Sequence, residues 1–187
     1  MIFEEIIKDS GEETSGHCLR VSEYTKIFLS KDNYGYTQKE KDFIIRGAFL
    51  HDIGKSKIDK ELLYKPNGLT PEEFIVIQRH SIYGYEILAQ HKNLFSCEEE
   101  YEICSNIALL HHRRFDNTGY PLVPHQELDD YLQIVSILDV YDALTSKRCY
   151  QTPVTRKEAL EIIAQGKGGF FQEELTENLP RYIDFVL

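Results

Sequence analysis

Cysteine is scarce in this 187-residue chain, and Cys18, Cys97, Cys104 and Cys149 form no CxxC pair. That spacing excludes a zinc knuckle and a disulfide framework. It leaves reduced, mostly buried thiols, the usual state in the cytoplasm. No apolar run approaches membrane-spanning length, so no membrane partner is expected. Met1 to Asp9 carries Glu4, Glu5 and Lys8 and lacks the basic start and unbroken apolar stretch of a signal peptide. The expected location is therefore cytoplasmic. Positive charge is also short: 21 Lys and Arg face 31 Asp and Glu, a net charge of −10. Such a surface argues against binding duplex nucleic acid. An acidic protein that handles an anionic substrate needs local positive charge, and bound metal ions supply it. Internal repeats, low-complexity stretches and a second domain are absent too. Residues 1–187 read as one domain, and with no sensor segment in the sequence, regulation is expected from a protein partner in trans or from metal and redox state.

What is present is helix-forming. Hydrophobic residues make up 42% and charged residues 28%, ordinary for a globular chain. Cys18, Val21, Tyr24, Ile27 and Phe28 recur at helical spacing over residues 13–30. Thr37 and Glu40 form a capping box for a helix ending near His51-Asp52. Thr70-Pro71-Glu72-Glu73 offers an N-cap, a proline at the first helical position and a capping glutamate, for a helix that carries His80 on to about Gln90. Further helices are predicted over about 97–112 and 131–146, and after the capping box Thr155–Glu158. A C-terminal helix is expected to break at Pro180. The fold class is all-α. Between Arg113 and about Asp130 lies a loop too long to be a mere connection in a compact domain, which marks it as functional.

Five of the seven histidines form an ordered series: His17, then His51-Asp52, His80 and His111-His112, closing on Asp139. Each lies on or at the end of a predicted helix. Neutral imidazole and carboxylate are ligands of a hydrolytic first-row metal site. Taken alone, His51-Asp52 reads as a dipole-favoured histidine beside an exposed aspartate. Adjacent residues on a helix diverge by about 100°, so one of His111 and His112 could simply be packed. Glu13 and His17 share a helix face at i, i+4, a contact that solvent-exposed pairs also make. Asp139, inside the apolar run Ile134 to Val140, needs a partner, and a metal is a suitable one. The series as a whole is hard to explain as packing. His91 and His125 lie off it.

The order His, His-Asp, Asp resembles the HD-domain metal-dependent phosphohydrolases. The segments His51-Asp52-Ile53-Gly54-Lys55, Lys65-Pro66 with Leu69-Thr70, His111-His112 and Asp116-Asn117-Thr118-Gly119-Tyr120-Pro121 narrow the likeness to the HD-GYP family. Asp139 to Arg148 is similar to that family's last signature. The likeness covers residues 13–171. It implies a compact helical HD-type domain with a Gly-Tyr-Pro loop, acting as a cyclic dinucleotide phosphodiesterase, chiefly on cyclic di-GMP. Two or three divalent ions are implied as cofactors, iron first and manganese next.

Carried over by position, the resemblance makes His17, His51, Asp52, His80, His111, His112 and Asp139 the metal ligands, with Asp52 bridging. Glu13 matches the extra glutamate of members with a third metal. Lys55 is the implied contact to the scissile phosphate and, with Asp52, a catalytic residue. Tyr120, Asp142 and Arg148 are the other implied substrate contacts. The chain departs from the family pattern at Arg113 (usually Glu), Asn117 (usually Gly), Cys149 (usually Pro) and Gln151 (usually basic). These changes fall on the substrate side. Rival readings are a hydrolase acting on cyclic GMP-AMP or a nucleotide monoester, and a silent module that binds a nucleotide or a protein.

Overall fold

The fold is centred on one helix that is buried on every side. In the computed structural model, which describes residues 2–31, 34–122, 128–147 and 152–183, every residue from Tyr131 to Asp139 is buried. A helix buried all round belongs in the middle of a bundle, and its polar residues Gln133, Ser136, Asp139 and Asp142 must find partners inside it. Ten α-helices are found among the described residues, and no strands. They are α1 (Ile2–Asp9), α2 (Glu12–Lys31), α3 (Gln38–Leu50), α4 (Lys60–Leu63), α5 (Pro71–Gln78), α6 (His80–Gln90), α7 (Glu98–Leu110), α8 (Asp130–Thr145), α9 (Arg156–Ala164) and α10 (Glu173–Ile183). A 3-10 turn at Ile53–Lys57 follows α3. The central helix α8 packs on α2, α7 and α9, while α3 lies against α2 and α7.

Two clusters form the core. Val21, Phe28, Ile44, Ile107, Ile134, Ile137 and Leu138 belong to the larger, around α8. Phe3, Ile7, Leu50, Ile53, Ile87 and Leu88 belong to the smaller, which closes over the 3-10 turn. Burying one such aliphatic side chain is worth about 1.5–3 kcal/mol. These clusters fix the helix ends on which the histidines sit. α1 uses Phe3 and Ile7 to cover the second cluster, a role its short, charge-interrupted sequence does not announce.

The three capping boxes form as expected. The Thr37, Thr70 and Thr155 hydroxyls each accept from the N–H of Glu40, Glu73 and Glu158, whose carboxylates accept in return from the threonine N–H. Two expectations are corrected. The helix carrying His80 is broken at Arg79, which ends α5 and precedes α6. The cause is the close approach of the 3-10 turn to the start of α6. A Cβ on Gly54 would lie 1.9 Å from the His80 carbonyl oxygen, so only glycine fits. α6 is pinned there, and α5, with no buried residue, is turned outward with Phe74, Ile75 and Val76 exposed. Second, α10 runs through Pro180. Leu175, Leu179 and Ile183 are buried along one face, and that burial outweighs the one hydrogen bond the proline removes. No regular element lies between Leu110 and Asp130 among the described residues, as the sequence predicts.

Candidate metal centre

Four imidazoles reach one cavity by the same device. His51 closes α3, and its Nδ1–H donates to the Ala48 carbonyl at 2.7 Å. His80 opens α6 and donates to Ile77 at 2.7 Å. His111 closes α7 and donates to Ile107 at 2.9 Å. His17, in the middle of α2, is held at Nδ1 by the Asp142 carboxylate at 2.6 Å. With Nδ1 engaged in each ring, Nε2 is left to face the cavity, the usual way a protein orients a ligating histidine. All four are buried. His112 is half-buried, its ring 4.0 Å from His111 and 5.1 Å from His80.

The inward atoms fall into two groups, each with ligand atoms within 4.8 Å of one another: His17, His51 and Asp139, and Asp52, His80, His111 and His112. In the first, His17 Nε2 lies 3.0 Å from Asp139 Oδ1 and 3.2 Å from His51 Nε2. In the second, His80 Nε2 lies 3.3 Å from His111 Nε2. Asp52 stands between the groups. Its Oδ2 is 3.3 Å from His51 Nε2 and 3.6 Å from His17 Nε2, and it accepts a hydrogen bond from Lys55 Nζ at 2.5 Å. Its Oδ1 is 3.3 Å from His80 Nε2 and 3.9 Å from His111 Nε2.

That Oδ1 atom is buried and has no hydrogen-bond partner. His80 cannot supply one, because its Nδ1 carries the ring proton to Ile77 and burial holds the ring neutral, its pKa pushed down to about 4. Burial likewise pushes His112 down to about 3 and His111 well below the usual histidine range. A carboxylate oxygen facing lone pairs across 3–4 Å costs free energy unless a cation lies among them. The donor set, imidazole nitrogen and carboxylate oxygen, is that of a divalent first-row ion. The residues therefore fit a metal on each side of Asp52. Burial works against ionisation of Asp52, but Lys55 and then His51 outweigh it and hold the carboxyl well below the ordinary range. For Asp139 burial is outweighed first by the adjacent His17 ring and then by His51, which hold the carboxyl well below the ordinary range.

The other expected site residues lie around this cavity. Lys55 and Glu13 line a cleft of about 340 Å3 that opens at His17. Glu13 belongs to none of the ligand groups among the described residues. Tyr120 lies on the opposite side, its ring 4.5 Å from His112 and 6.1 Å from His80. The preceding Gly119 has φ +85°, and a Cβ there would sit 2.2 Å from the His112 carbonyl oxygen. The Gly-Tyr step thus brings the loop hard against the second histidine. Arg148 and Gln151 lie outside the described residues. Asp142 departs from expectation. It is fully buried, with its oxygens taken by His17, by Arg20 at 2.6 and 2.9 Å, and by the Ser146 hydroxyl at 3.0 Å. Its carboxylate is committed to holding His17 and Arg20, and, fully buried, it offers no surface to a cleft. These contacts outweigh its burial and bring its pKa down to about 2.

Two neighbours, Arg20 and Cys18, were not singled out by sequence, and a third, Arg113, was noted only as a departure. Arg20 holds Asp142, and its i+3 spacing from His17 was the available signal. Cys18 groups with His51 and Asp52 within 4.8 Å, and nothing in its spacing announced that. Arg113, where the resembled family has glutamate, is buried and donates to the Pro121 carbonyl at 3.4 Å.

A helical bundle that gathers histidines and two aspartates from helix ends and from the middles of α2 and α8 into one buried pocket is an HD-type centre. The HD domain family matches residues 14–144. The chain belongs to the HD-domain family, as an HD-GYP member. It is 34% identical to a probable cyclic di-GMP phosphodiesterase of Vibrio cholerae, over 85% of this chain and 38% of that protein. It is 32% identical to the 3'3'-cGAMP-specific phosphodiesterase 2 of Vibrio cholerae, over 95% of this chain and 33% of that protein. The chain thus spans about a third of the length of these curated relatives. Among solved structures, an HDGYP protein from Bdellovibrio bacteriovorus superposes with a TM-score of 0.69 at 20% identity, over 91% of this chain and 52% of that one. No helix among the described residues is long and apolar enough to cross a membrane.

Proposed function

We propose that this chain is a metal-dependent phosphodiesterase that opens cyclic di-GMP to the linear dinucleotide and cuts onward to GMP. The observation that carries the reading is the buried, unpartnered Oδ1 of Asp52, set between two ligand groups in which His17, His51, His80 and His111 present Nε2. The ligands we assign are His17, His51, Asp52, His80, His111, His112 and Asp139. The metal is iron, with manganese the alternative the same nitrogen and oxygen donors accept. Glu13, on the cleft wall beside His17, is the residue a third ion would recruit.

Divalent ions held there supply a water nucleophile of lowered pKa and neutralise charge at phosphorus. The protein's own groups do the rest. Asp142 and Arg20 fix the ring of His17. The Lys55 ammonium, partly exposed on the cleft wall, is placed to meet a phosphoryl oxygen and the departing ribose oxygen. The new bond is from water oxygen to phosphorus, and the bond broken is from phosphorus to that ribose oxygen. Tyr120, against His112, walls the far side of the pocket.

The test is anaerobic purification, elemental analysis and a panel of cyclic di-GMP, 3'3'-cGAMP and linear dinucleotides. About two ions per chain and turnover of cyclic di-GMP are expected. Metal-loaded, reduced protein that ignores every dinucleotide at millimolar concentration would overturn the reading. A second substrate, 3'3'-cGAMP, is favoured by the relative named for it, whose identity to this chain is nearly the same. A silent binding module has no need of a complete ligand set, and metal-free purified protein would favour it.

A further inference from the structure

A second and larger cleft, of about 660 Å3, opens on the other side of the metal centre from Lys55. It starts at His112 and Tyr120, while Phe74 lines both clefts and stands between them. The volume is in the range of about 300–1,000 Å3 that small-molecule sites occupy. Its outer part lies in the segment after α9, beyond residue 144 where the family match ends. There the Arg114 guanidinium lies over the Phe170 ring, 3.7 Å from its centroid. The platform is built from two loops tied by backbone. Phe115 N–H donates to the Phe170 carbonyl at 3.1 Å, and Asp116 N–H to Gly169 at 2.9 Å. Arg114 is exposed, and Phe170 and Phe74 keep 44% and 45% of their surface in water. Gln78, at the end of α5, and Gln165, just past α9, complete the lining with two amides.

Each part suits one kind of ligand. A guanidinium plane backed by an aromatic ring offers an outer face on which a flat heteroaromatic stacks. An amide side chain has both a donor and an acceptor to meet a base edge. A cyclic dinucleotide has two base-bearing halves joined through its phosphodiesters, and the centre has two clefts with the metal ligands between them. We propose that the larger cleft is a nucleobase subsite: one base stacks on the Arg114–Phe170 platform, and Gln78 and Gln165 read its edge. The inference rests on the phosphodiesterase reading for its substrate and not for its test.

The test compares GMP with ribose 5-phosphate, which shares the phosphate and sugar and lacks the base. Both are titrated into metal-loaded protein, wild type and the variants Arg114→Ala, Arg114→Lys, Phe170→Leu and Gln78→Leu/Gln165→Leu. Wild type should bind GMP more tightly by about 5–150-fold, the equivalent of the roughly 1–3 kcal/mol that stacking a base contributes. Arg114→Ala and Arg114→Lys should both lose that margin, since lysine keeps the charge and lacks the plane. Phe170→Leu should lose part of it while its backbone bonds to the 113–116 loop remain. The double glutamine variant should shift the preference between GMP and AMP by several-fold. With cyclic di-GMP the same variants should raise KM and leave kcat nearly unchanged. Equal affinity for GMP and ribose 5-phosphate in folded wild type, or full retention of the margin in Arg114→Lys, overturns the subsite. A base-dependent margin in a protein that cleaves no dinucleotide would sink the phosphodiesterase reading and leave the subsite standing.

Discussion

The two ligand groups that meet at Asp52 are built on opposite electrostatic terms. In the first, His17 lies between two carboxylates, with Asp142 at Nδ1 and Asp139 at Nε2, and Arg20 closes the far side of Asp142. Charge there is compensated by protein alone, and Asp52 outweighs burial enough to raise the His51 pKa. In the second group three histidines face a single carboxylate oxygen, and burial drives all three toward the neutral form. No group among the described residues hydrogen-bonds that oxygen. Both groups offer a ligand set, but the first has protein partners that steady it before an ion arrives, and the second leaves a buried carboxylate oxygen for the ion to meet. The difference predicts that the second group gains more from metal and that the first is sensitive to the residues behind it.

Removing Asp52 breaks the comparison outright, because each of its oxygens serves one group. Asp52→Ala should lose metal from both groups, not from one. Turnover should fall by more than the roughly 10²–10³ that a single stabilising contact is worth. Elemental analysis of the variant decides it, and retention of one full equivalent would show that the groups do not share a bridge. His80→Ala and His17→Ala should each lose metal mainly from their own group.

Lys55 sharpens the comparison next, since its ammonium contacts Oδ2, the oxygen facing the first group. Lys55→Ala should keep its metal and lose roughly 10²–10³ in kcat, the cost of one charged contact at the transition state. Metal loss equal to that of Asp52→Ala would make Lys55 a structural ion-pair partner instead. Asp142→Asn should act more mildly and on one side only. The amide still reaches His17 but no longer balances Arg20. Metal affinity should weaken by about 10–100-fold at the first group, the range for losing a carboxylate behind a ligating histidine, and stay unchanged at the second. Two-step metal titration by calorimetry separates the cases.

The parts of this site legible in sequence are those that repeat a local rule. The all-α class followed from helical periodicity and three capping boxes, and the meeting of the histidine series in one pocket from histidines placed on or at the ends of helices. Asp142 was expected at the substrate from resemblance alone, and nothing near it in sequence announces its bond to Arg20; it lies three residues after Asp139 on α8. On a helix three residues is nearly one turn, so both face α2, but Asp142 meets Arg20 where Asp139 meets the open cavity. The break at Arg79 was illegible for a different reason. It depends on Gly54, 25 residues earlier, whose missing Cβ lets the 3-10 turn press on His80. Arg114 and Phe170 are brought together only by the tertiary pairing of their loops.

The smallest expected effect is on stability against pH, and it tests the two groups in one experiment on metal-free protein. The histidines of the second group have folded pKa values below the unfolded value of about 6.5. Between those limits the unfolded chain binds protons that the folded chain refuses, so acid favours unfolding. The stability these groups contribute is present above pH 6.5 and is lost as pH falls toward about 4 for His80 and about 3 for His112. His51 has the opposite sign. Its raised pKa gives stability below pH 6.5 that disappears as pH rises through the folded value. Lowering pH from 6.5 to 5.5 should therefore cost on the order of 1 kcal/mol for each of His80, His111 and His112, while His51 returns at most roughly a third of one such share, because its unfolded form is itself protonating over that interval. Urea unfolding at the two pH values measures the balance. His80→Asn should flatten the pH dependence and His51→Asn should steepen it. If both variants move it in the same direction, the electrostatic contrast between the groups is wrong.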